Sequence, residues 1–530
     1  MRVICSISYT DGRVGHLSAQ FRSLRSQLTQ EHLHTMDNST LVSTTLHVVQ
    51  NNKTDGTLDS PLALTTAAVG TAIAAAAILF SMRASRKKMP QNVPATRIQC
   101  LMALGNPTDL IPTILKWARH MGFPNAMRVS LLPTKPFVLV CDPDLARRIL
   151  TDKATYKPAF LYKGTALSKG TSMLTQIDDV KWRHARKEVA PAFSSNCIKR
   201  MTTVCSKHAQ RWVEGFLAPR AKQNVAFDPF REIMALTIII ICESALDYVA
   251  SEEEVDRFLE DSSLVANELQ KRAGDPTRAW LQHWLPDAKR AIAATQRRMQ
   301  LGWRILKAHR DAANPTPGTV VDLINKNQYY ESDDDRVRDI NLFITAGYDT
   351  TAITITWILF NLAKHPQEMI KVQNALLKTP ELERPSCPAL KNAIQEGMRL
   401  SPAFAGGVPR SPGRDIDTGD GCTILKDSIV FFPQILTNRN PKVFGDDADV
   451  FRPDRWVNAD ARMKSALVPF ALGPRNCIGQ GLANAEIHTM LAMVLSQYSL
   501  ELVQDCTPTN SVLHLPLNGK LRARQITNKD

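Results

Sequence analysis

A cysteine near the carboxyl end of the chain has the surroundings of a metal ligand. Residues 470–479 read Phe-Ala-Leu-Gly-Pro-Arg-Asn-Cys-Ile-Gly, and an apolar stretch at helical spacing follows from Leu482 to Leu495. Cys477 therefore precedes a helix amino-terminus, where the helix dipole and free backbone N–H groups stabilise the thiolate that binds metal. Gly473 and Gly479 allow a tight turn around the sulfur and the close approach of a flat cofactor. An ordinary buried thiol is the alternative for a single cysteine of this kind.

A second group of reactive side chains interrupts a long apolar helix. Apolar residues recur at helical spacing from Ile340 to Phe360, and His365-Pro366 ends the helix because proline disfavours helical geometry in the residue before it. Gly347 removes side-chain bulk, so a small ligand can lie against the backbone, and Thr350 can bond a preceding carbonyl. Asp349 and Thr350 can pass protons inward. Without other motifs, such residues usually form a solvated helix face or a cap.

Paired side chains elsewhere fit a buried ion network or the rim of an anionic cofactor. Glu396 and Arg399 lie three residues apart and share a helix face. Trp182 and Arg186 lie four residues apart, which also places them on one face of a helix. Taken singly, Trp182 would be a core residue and Arg186 a solvated one.

Taken together and in this order, the segments resemble the cytochrome P450 family. The family's haem-binding signature FxxGxRxCxG is matched at every fixed position, by Phe470, Gly473, Arg475, Cys477 and Gly479. The resemblance implies that Cys477 binds the iron of haem b and that the other four residues belong to the cofactor site. Arg475 is placed to reach an anionic edge of the haem.

Three further motifs extend the resemblance. The helix segment resembles the family's A-G-x-[DE]-T signature, which implies that Asp349 and Thr350 are the acid and the alcohol that deliver protons during catalysis. Glu396 and Arg399 resemble the family's ExxR pair, which is implied to form a structural Glu-Arg-Arg network with Arg455. The residues implied to contact the haem carboxylates are Trp182, Arg186 and Arg410.

The resemblance implies a mainly α fold with small β-sheets, assembled as a single haem domain over residues 104–530. The pattern agrees, because long helical stretches dominate, whereas strand-like runs such as Phe137 to Val140 and Ser428 to Phe432 are few. A basic hinge that contains prolines covers residues 83–103. The haem domain therefore follows a separate amino-terminal region.

That amino-terminal region contains a predicted transmembrane helix. Residues 61–82 are 22 uncharged, mostly apolar residues, enough to cross a bilayer as a helix, and a buried soluble helix is the alternative. Basic residues follow directly, which predicts that the haem domain faces the cytoplasm, and the endoplasmic reticulum is the expected membrane. Residues 1–60 form a polar extension that is either disordered or a targeting segment. The arginines in its first half leave an organellar membrane open.

Composition restricts the partners. The chain has 530 residues, 44% of them hydrophobic, and a formal net charge of +14, which favours an anionic membrane surface or an acidic protein. No nucleic-acid-binding motif accompanies the charge, so nucleic acid is not an expected partner. The ten cysteines form no CxxC pair and are expected to be reduced thiols.

These features predict a monooxygenase that inserts one atom of dioxygen into a lipophilic small molecule. Electrons must come from another protein, and the resemblance implies a membrane-bound, NADPH-dependent flavoprotein reductase. A peroxide-using or rearranging relative and a haem-based sensor or carrier are the alternatives. The segments that the resemblance implies to line or gate the substrate pocket are Phe160 to Leu174, the region near Trp280 and Trp284, Phe343, and Phe404 to Gly406.

Overall fold

The computed structural model of the protein describes residues 88–96, 99–100, 110–130, 136–164, 170–509 and 513–526. The polar extension 1–60 and the apolar segment 61–82 lie outside the described residues, and so do residues 83–87, 97–98 and 101–103 of the hinge. The transmembrane helix and the start of the haem domain at residue 104 therefore stay predictions.

Helices make up most of the described chain, which confirms the predicted mainly α class with small sheets. The α-helices are α1 (Leu110–His120), α2 (Pro143–Thr151), α3 (Ala159–Gly164), α4 (Asp179–Val189), α5 (Ser195–Trp212), α6 (Ala218–Lys222), α7 (Pro229–Leu246), α8 (Glu252–Gly274), α9 (Pro286–Asp311), α10 (Val320–Lys326), α11 (Asp333–Lys364), α12 (Pro366–Lys378), α13 (Pro388–Leu400), α14 (Gln434–Thr437), α15 (Pro441–Phe444), α16 (Ala461–Ala466) and α17 (Gln480–Leu495). The strands are β1 (Ala126–Val129), β2 (Phe137–Val140), β3 (Pro409–Arg410), β4 (Ile416–Asp417), β5 (Thr423–Ile424), β6 (Ile429–Phe431), β7 (Tyr498–Gln504), β8 (Thr507–Pro508), β9 (Pro516–Leu517) and β10 (Lys520–Gln525).

The long helix α11 is the centre of the core. It begins after Ser332, whose hydroxyl accepts a hydrogen bond from the Asp335 backbone N–H, and acidic residues in its first turn complement the helix dipole. It ends at Lys364, before His365 and Pro366, as predicted. In the described part of the chain, α11 is the one helix with the length and composition of a membrane span, but most of that stretch is buried against other helices.

A four-stranded sheet, in the order β1-β2-β6-β3, stands apart from the helical core. Strands β2 and β6 pair in parallel, and the other two pairings are antiparallel. The predicted strand at 137–140 is β2, and the one predicted at 428–432 is β6, shortened to three residues. The pairing of β3 with β6 sets Arg410 opposite Val430, which fixes the backbone of this predicted site residue.

The Glu396 carboxylate is the centre of a buried ion network. Arg399 donates to both Glu396 oxygens at 2.8 Å, and Arg455 Nε lies 3.3 Å from Oε1. Trp456 Nε1 donates to the other oxygen, Oε2, at 3.0 Å. The network implied by the resemblance is confirmed. Its geometry explains how two arginines are buried in the core, since charges there need an opposite charge and hydrogen-bond partners.

Replacing Glu396 by Gln should destabilise the fold strongly, because two buried guanidinium groups would lose their counter-charge. We expect the free energy of unfolding, measured by urea denaturation, to fall by about 3–5 kcal/mol. Lys371→Gln is the matched control, since it removes an exposed ion pair with Asp454 beside the same network. The free energy of unfolding of this control variant should fall by at most about 1 kcal/mol. Equal losses in the two variants would show that the network does not stabilise the fold.

Candidate active site

The segment that contains Cys477 folds as a tight loop leading into α17. The Cys477 backbone N–H donates to the Phe470 carbonyl at 2.9 Å, which closes the loop. Gly473 has a φ of +75°, and a Cβ there would lie 2.1 Å from the Leu150 carbonyl oxygen of α2. Glycine at position 473 is therefore required both by the turn and by the packing of the loop on α2. The predicted tight turn is confirmed.

The thiol of Cys477 lies at the amino-terminus of α17. The helix begins at Gln480, and the Gly479 N–H bonds to the sulfur. Burial raises the pKa of the thiol, while this bond and the charge of Arg186 lower it, and the net effect is a raised pKa. Cys477 is nevertheless exposed to solvent. The helix terminus favours the thiolate as predicted, but a bound metal cation must supply the remaining stabilisation.

Phe193 connects the cysteine loop to α11. A Cβ at Gly479 would lie 3.9 Å from both Cys477 Sγ and Phe193 Cε1, an ordinary contact distance, so packing alone does not require this glycine. The Phe193 ring stacks on Phe343 of α11 with ring centroids 5.9 Å apart. The cysteine loop and α11 therefore border the same region.

The indole of Trp182 brings two of the predicted arginines together. Arg475 Cζ lies 3.8 Å from the centroid of the buried Trp182 ring, and Arg186 Cζ lies 5.7 Å from it. Arg186 donates to the Asn476 carbonyl and side-chain oxygen at 2.7 and 2.6 Å, which ties α4 to the residue before Cys477. Arg475 also forms an ion pair with Asp179 at 2.5 Å.

Two further cations complete this side of the site. Arg410 donates to Tyr162 Oη at 3.2 Å, and Lys157 Nζ lies 4.7 Å from the centroid of the Tyr162 ring. Lys157 also donates to the Leu174 carbonyl. We call Lys157, Arg186, Arg410 and Arg475 the basic cluster. The three arginines predicted for the haem site belong to it, whereas Lys157 was not predicted from the sequence.

The electrostatics of the basic cluster fit an anionic ligand. Burial lowers the pKa of Lys157 to about 7, assisted by the charges of Arg475 and Arg410 and opposed by Asp179. Burial also lowers the pKa of Arg186 and of Arg475. Burial and mutual repulsion both disfavour the charged forms of these side chains. A ligand with several negative groups would relieve both effects, so the cluster is suited to bind such a ligand. The two carboxylates at the rim of haem have this character, so these residues fit the predicted cofactor.

The middle of α11 places Asp349 and Thr350 on different faces of the helix. Thr350 Oγ1 donates to the Ala346 carbonyl at 3.0 Å, the bond to a preceding carbonyl that the sequence predicts. Asp349 is directed toward α9, where the Arg298 guanidinium lowers its pKa, but burial outweighs this effect and raises the pKa to about 6. A carboxyl with this pKa can both hold and release a proton near neutral pH.

The predicted role of Gly347 is wrong. A Cβ at this position would lie 2.8 Å from Ile241 Cγ1 and 2.9 Å from Ile241 Cδ1, both on α7. Gly347 therefore allows α7 and α11 to approach each other, and the missing side chain makes no room for a small ligand.

Glu486 of α17 is a buried acid that the sequence analysis did not select. Its side chain hydrogen-bonds with Thr351, the residue after Thr350, and burial raises its pKa to about 8. Glu486 Oε1 is buried without a hydrogen-bond partner. The feature of the sequence that could have identified Glu486 is a carboxyl inside the mostly apolar stretch from Leu482 to Leu495.

The segments implied around the substrate have mixed outcomes. Phe343 is buried beside the cysteine loop, and Ala405 is buried in the core, within the predicted 404–406 segment. Trp280 and Trp284 are 84% and 81% exposed, and the prediction that the region near them lines or gates the pocket stays a prediction. Residues 165–169 of the first segment lie outside the described residues.

Comparison with known proteins agrees with this geometry. The Cytochrome P450 family model matches residues 116–522. Human cytochrome P450 4F8 is 27% identical over 418 residues, which cover 71% of this chain and 78% of the relative. Cytochrome P450 72A68 of Medicago truncatula is 24% identical over 438 residues, which cover 76% of this chain and 82% of the relative.

A solved structure shows the same fold. The crystal structure of a cytochrome P450 (CYP102L1) superposes with a TM-score of 0.68 at 21% identity and covers 83% of this chain and 100% of that one. The family match extends over most of the chain and includes the Cys477 loop, the basic cluster and α11. The chain therefore belongs to the cytochrome P450 family, the haem-thiolate monooxygenases.

Proposed function

We propose that this monooxygenase uses haem b to insert one atom of dioxygen into an apolar or amphipathic small molecule, with electrons from a separate NADPH-dependent flavoprotein reductase. The observation that carries the proposal is the position of Cys477, which lies at a helix amino-terminus beside four cations that suit the haem carboxylates. When bound, haem supplies the iron that activates dioxygen.

The proposed cofactor site divides the work among its residues. Cys477 Sγ is the iron ligand, and Phe470, Gly473 and Gly479 shape the loop that presents it. The basic cluster binds the carboxylates, because guanidinium groups match their planar geometry. Trp182 supports two of these guanidinium groups through its ring face.

Asp349 and Thr350 are the proposed proton carriers. At neutral pH, Asp349 is mostly ionised, and its pKa of about 6 lets it take up a proton from solvent. The Thr350 hydroxyl lies on a different face of α11 and is the group proposed to donate a proton toward the site. A peroxide-using enzyme or a haem-based sensor needs no such carriers, so these residues favour the monooxygenase.

Apolar surroundings support a lipophilic substrate. Phe343 and Ile344 of α11 and Met173 of the segment before α4 are buried in one hydrophobic cluster with Trp182. Sites for small molecules are lined mainly by such side chains.

A membrane location and an acidic redox partner complete the proposal. The predicted helix at residues 61–82 would hold the protein at the endoplasmic reticulum, with the haem domain facing the cytoplasm, and an organellar membrane is the alternative. Helix α4 exposes Lys181, Arg183 and Lys187 beside the residues that contact the cysteine loop. Exposed positive charge close to Cys477 favours an acidic flavoprotein reductase.

Replacing Cys477 by Ala should abolish the thiolate spectrum. The reduced, carbon monoxide-treated wild-type protein should show the red-shifted Soret band of a haem-thiolate complex, and the variant should lack it. Cys422→Ala, which removes a partly exposed thiol elsewhere, is the matched control and should keep the band. A wild-type protein that binds haem without this band would refute the proposed ligand.

Replacing Thr350 by Ala should uncouple electron use from product formation. With a substrate chosen by spectral screening, we expect product per NADPH consumed to fall about tenfold, because proton delivery contributes at least this much. Thr354→Ala is the control, since the Thr354 hydroxyl donates to the Thr350 carbonyl of the same helix in the same way and is not a proposed proton carrier. Unchanged coupling in the Thr350 variant would contradict the assigned role.

Lys157 should make haem binding pH-dependent. In the haem-free protein, Lys157 loses its charge as pH rises through about 7, so the haem affinity of the wild type should weaken above that pH. In Lys157→Met, we expect affinity about tenfold weaker at low pH and no further weakening across neutrality. Quenching of tryptophan fluorescence by added haem measures both effects. The exposed Lys153→Met serves as control, and a pH dependence that persists in Lys157→Met would argue against this role.

A further inference from the structure

The segment Gly170–Asp178 leads into α4 beside the proposed haem site. Asp178 ends the segment and caps α4, because its side chain accepts from the Val180 and Lys181 backbone N–H groups at 2.9 and 3.1 Å. A turn precedes it, in which the Gln176 N–H donates to the Ser172 carbonyl at 2.8 Å. The position of this segment therefore influences α4, which carries Trp182 and Arg186.

Two members of the basic cluster hold the backbone of the segment. Lys157 donates to the Leu174 carbonyl, and Arg475 Nη1 donates to the Gln176 carbonyl at 3.1 Å. Between these anchors, the side chain of Met173 is 9% exposed and lies in the cluster that contains Phe343. The segment thus contacts both the proposed carboxylate site and the apolar wall formed by α11.

A buried carboxylate of α11 provides the third anchor. Asp339 is 2% exposed, and its Oδ1 accepts from the Met173 backbone N–H at 2.7 Å. Its Oδ2 accepts from Tyr330 Oη at 2.6 Å. Burial disfavours the charged form of Asp339 and raises its pKa to about 6. Both hydrogen bonds favour the charged form and limit this rise. A carboxyl buried with two neutral donors indicates a specific positional role, because a core position alone would be better filled by an apolar residue.

We infer that Asp339 is a positioning residue that fixes the Gly170–Asp178 segment between α11 and the basic cluster and thereby controls haem retention and ligand access. The inference rests on the proposed haem site. When the anchor is lost, the segment moves away from α11, and the Leu174 and Gln176 carbonyls no longer orient Lys157 and Arg475 toward the haem carboxylates.

Three variants differ in which of the two hydrogen bonds of Asp339 they keep. Asp339→Ala removes both hydrogen bonds. Asp339→Asn retains them, because the amide oxygen accepts from Met173 N–H and the amide nitrogen donates to Tyr330 Oη. Tyr330→Phe leaves the bond to the segment and removes the one that orients the Asp339 carboxylate, so it weakens the anchor without deleting the buried acid, even if Asp339→Ala folds poorly.

Asp322→Ala provides a matched control for the loss of a buried acid. Asp322 is 3% exposed, and its Oδ2 accepts from the Gly318 backbone N–H at 2.8 Å. It therefore anchors a loop as Asp339 does, but on α10, and none of its hydrogen bonds reaches the basic cluster. Both alanine variants should lower the melting temperature, so stability alone does not distinguish them.

Three measurements on the full-length holoenzyme distinguish positioning from stability. Amide hydrogen exchange reports on the peptide that contains Met173, transfer of haem to excess apomyoglobin reports on cofactor retention, and the shift of the haem spectrum on titration with 4-phenylimidazole reports on ligand affinity. For Asp339→Ala, we expect exchange and haem transfer to be about tenfold faster and ligand affinity to change about tenfold. Asp339→Asn and Asp322→Ala should stay within about twofold of wild type, and Tyr330→Phe should lie between.

The outcomes separate this inference from the proposed function. If the wild type takes up haem with a thiolate spectrum but Asp339→Ala matches Asp322→Ala in all three measurements, the inference fails and the proposed function stands. If Asp339→Asn loses haem as quickly as Asp339→Ala, the charge and not the positioning is responsible, and the inference again fails. If the wild type binds no haem, the proposed function and the inference both fail.

Discussion

Repulsion among the cations beside Cys477 is the interaction on which the rest of the site depends. Lys157, Arg186, Arg410 and Arg475 come from four separate parts of the chain, so the fold must hold like charges together in a partly buried place. Asp179, the face of Trp182 and several backbone carbonyls offset part of that repulsion. The repulsion that is left would favour binding of an anion, and the proposed haem would bring two carboxylates to a place where the protein alone is short of negative charge.

Helix α11 meets a different constraint, because it must both fill the core and carry polar groups. Its packing contacts and its polar groups lie on different faces of the helix. Gly347 lets α7 approach, Asp349 is directed toward Arg298 on α9, Thr350 bonds its own helix, and Thr351 meets Glu486 of α17. Thr237 of α7 adds a hydrogen bond to the Tyr348 carbonyl at 3.2 Å, which supports the polar stretch from outside the helix. The sequence suggested one shared purpose for these neighbours, whereas the helix distributes them over four contacts.

Local sequence rules predicted the features that depend on neighbouring residues, but they missed features that depend on contacts between residues far apart in the chain. The end of α11 at His365-Pro366 and the start of α17 after Gly479 depend on adjacent residues, so local rules predicted them within a few positions. The resemblance to a family supplied the long-range partners Arg410 and Arg455. Lys157 and Asp339 act through contacts with residues far away in the chain, and an isolated lysine or aspartate has no local pattern that separates a buried anchor from a solvated charge. The exposure of Trp280 and Trp284, in the connection between α8 and α9, was likewise not readable from local pattern, because tryptophan is usually buried.

The acids near the cysteine also bear on its charge. An ionised carboxylate on α17 would oppose a thiolate at the start of the same helix, and the low dielectric of the core would strengthen that opposition. Burial raises the pKa of Glu486 to about 8, so this carboxyl is mostly neutral at physiological pH, and Asp179 is paired with Arg475. The positive charge of Arg186 and of the helix amino-terminus therefore acts on the sulfur with little competition from these two acids. With the nearby acids neutral or paired, burial is the main effect that disfavours the thiolate, and a bound iron cation would offset it.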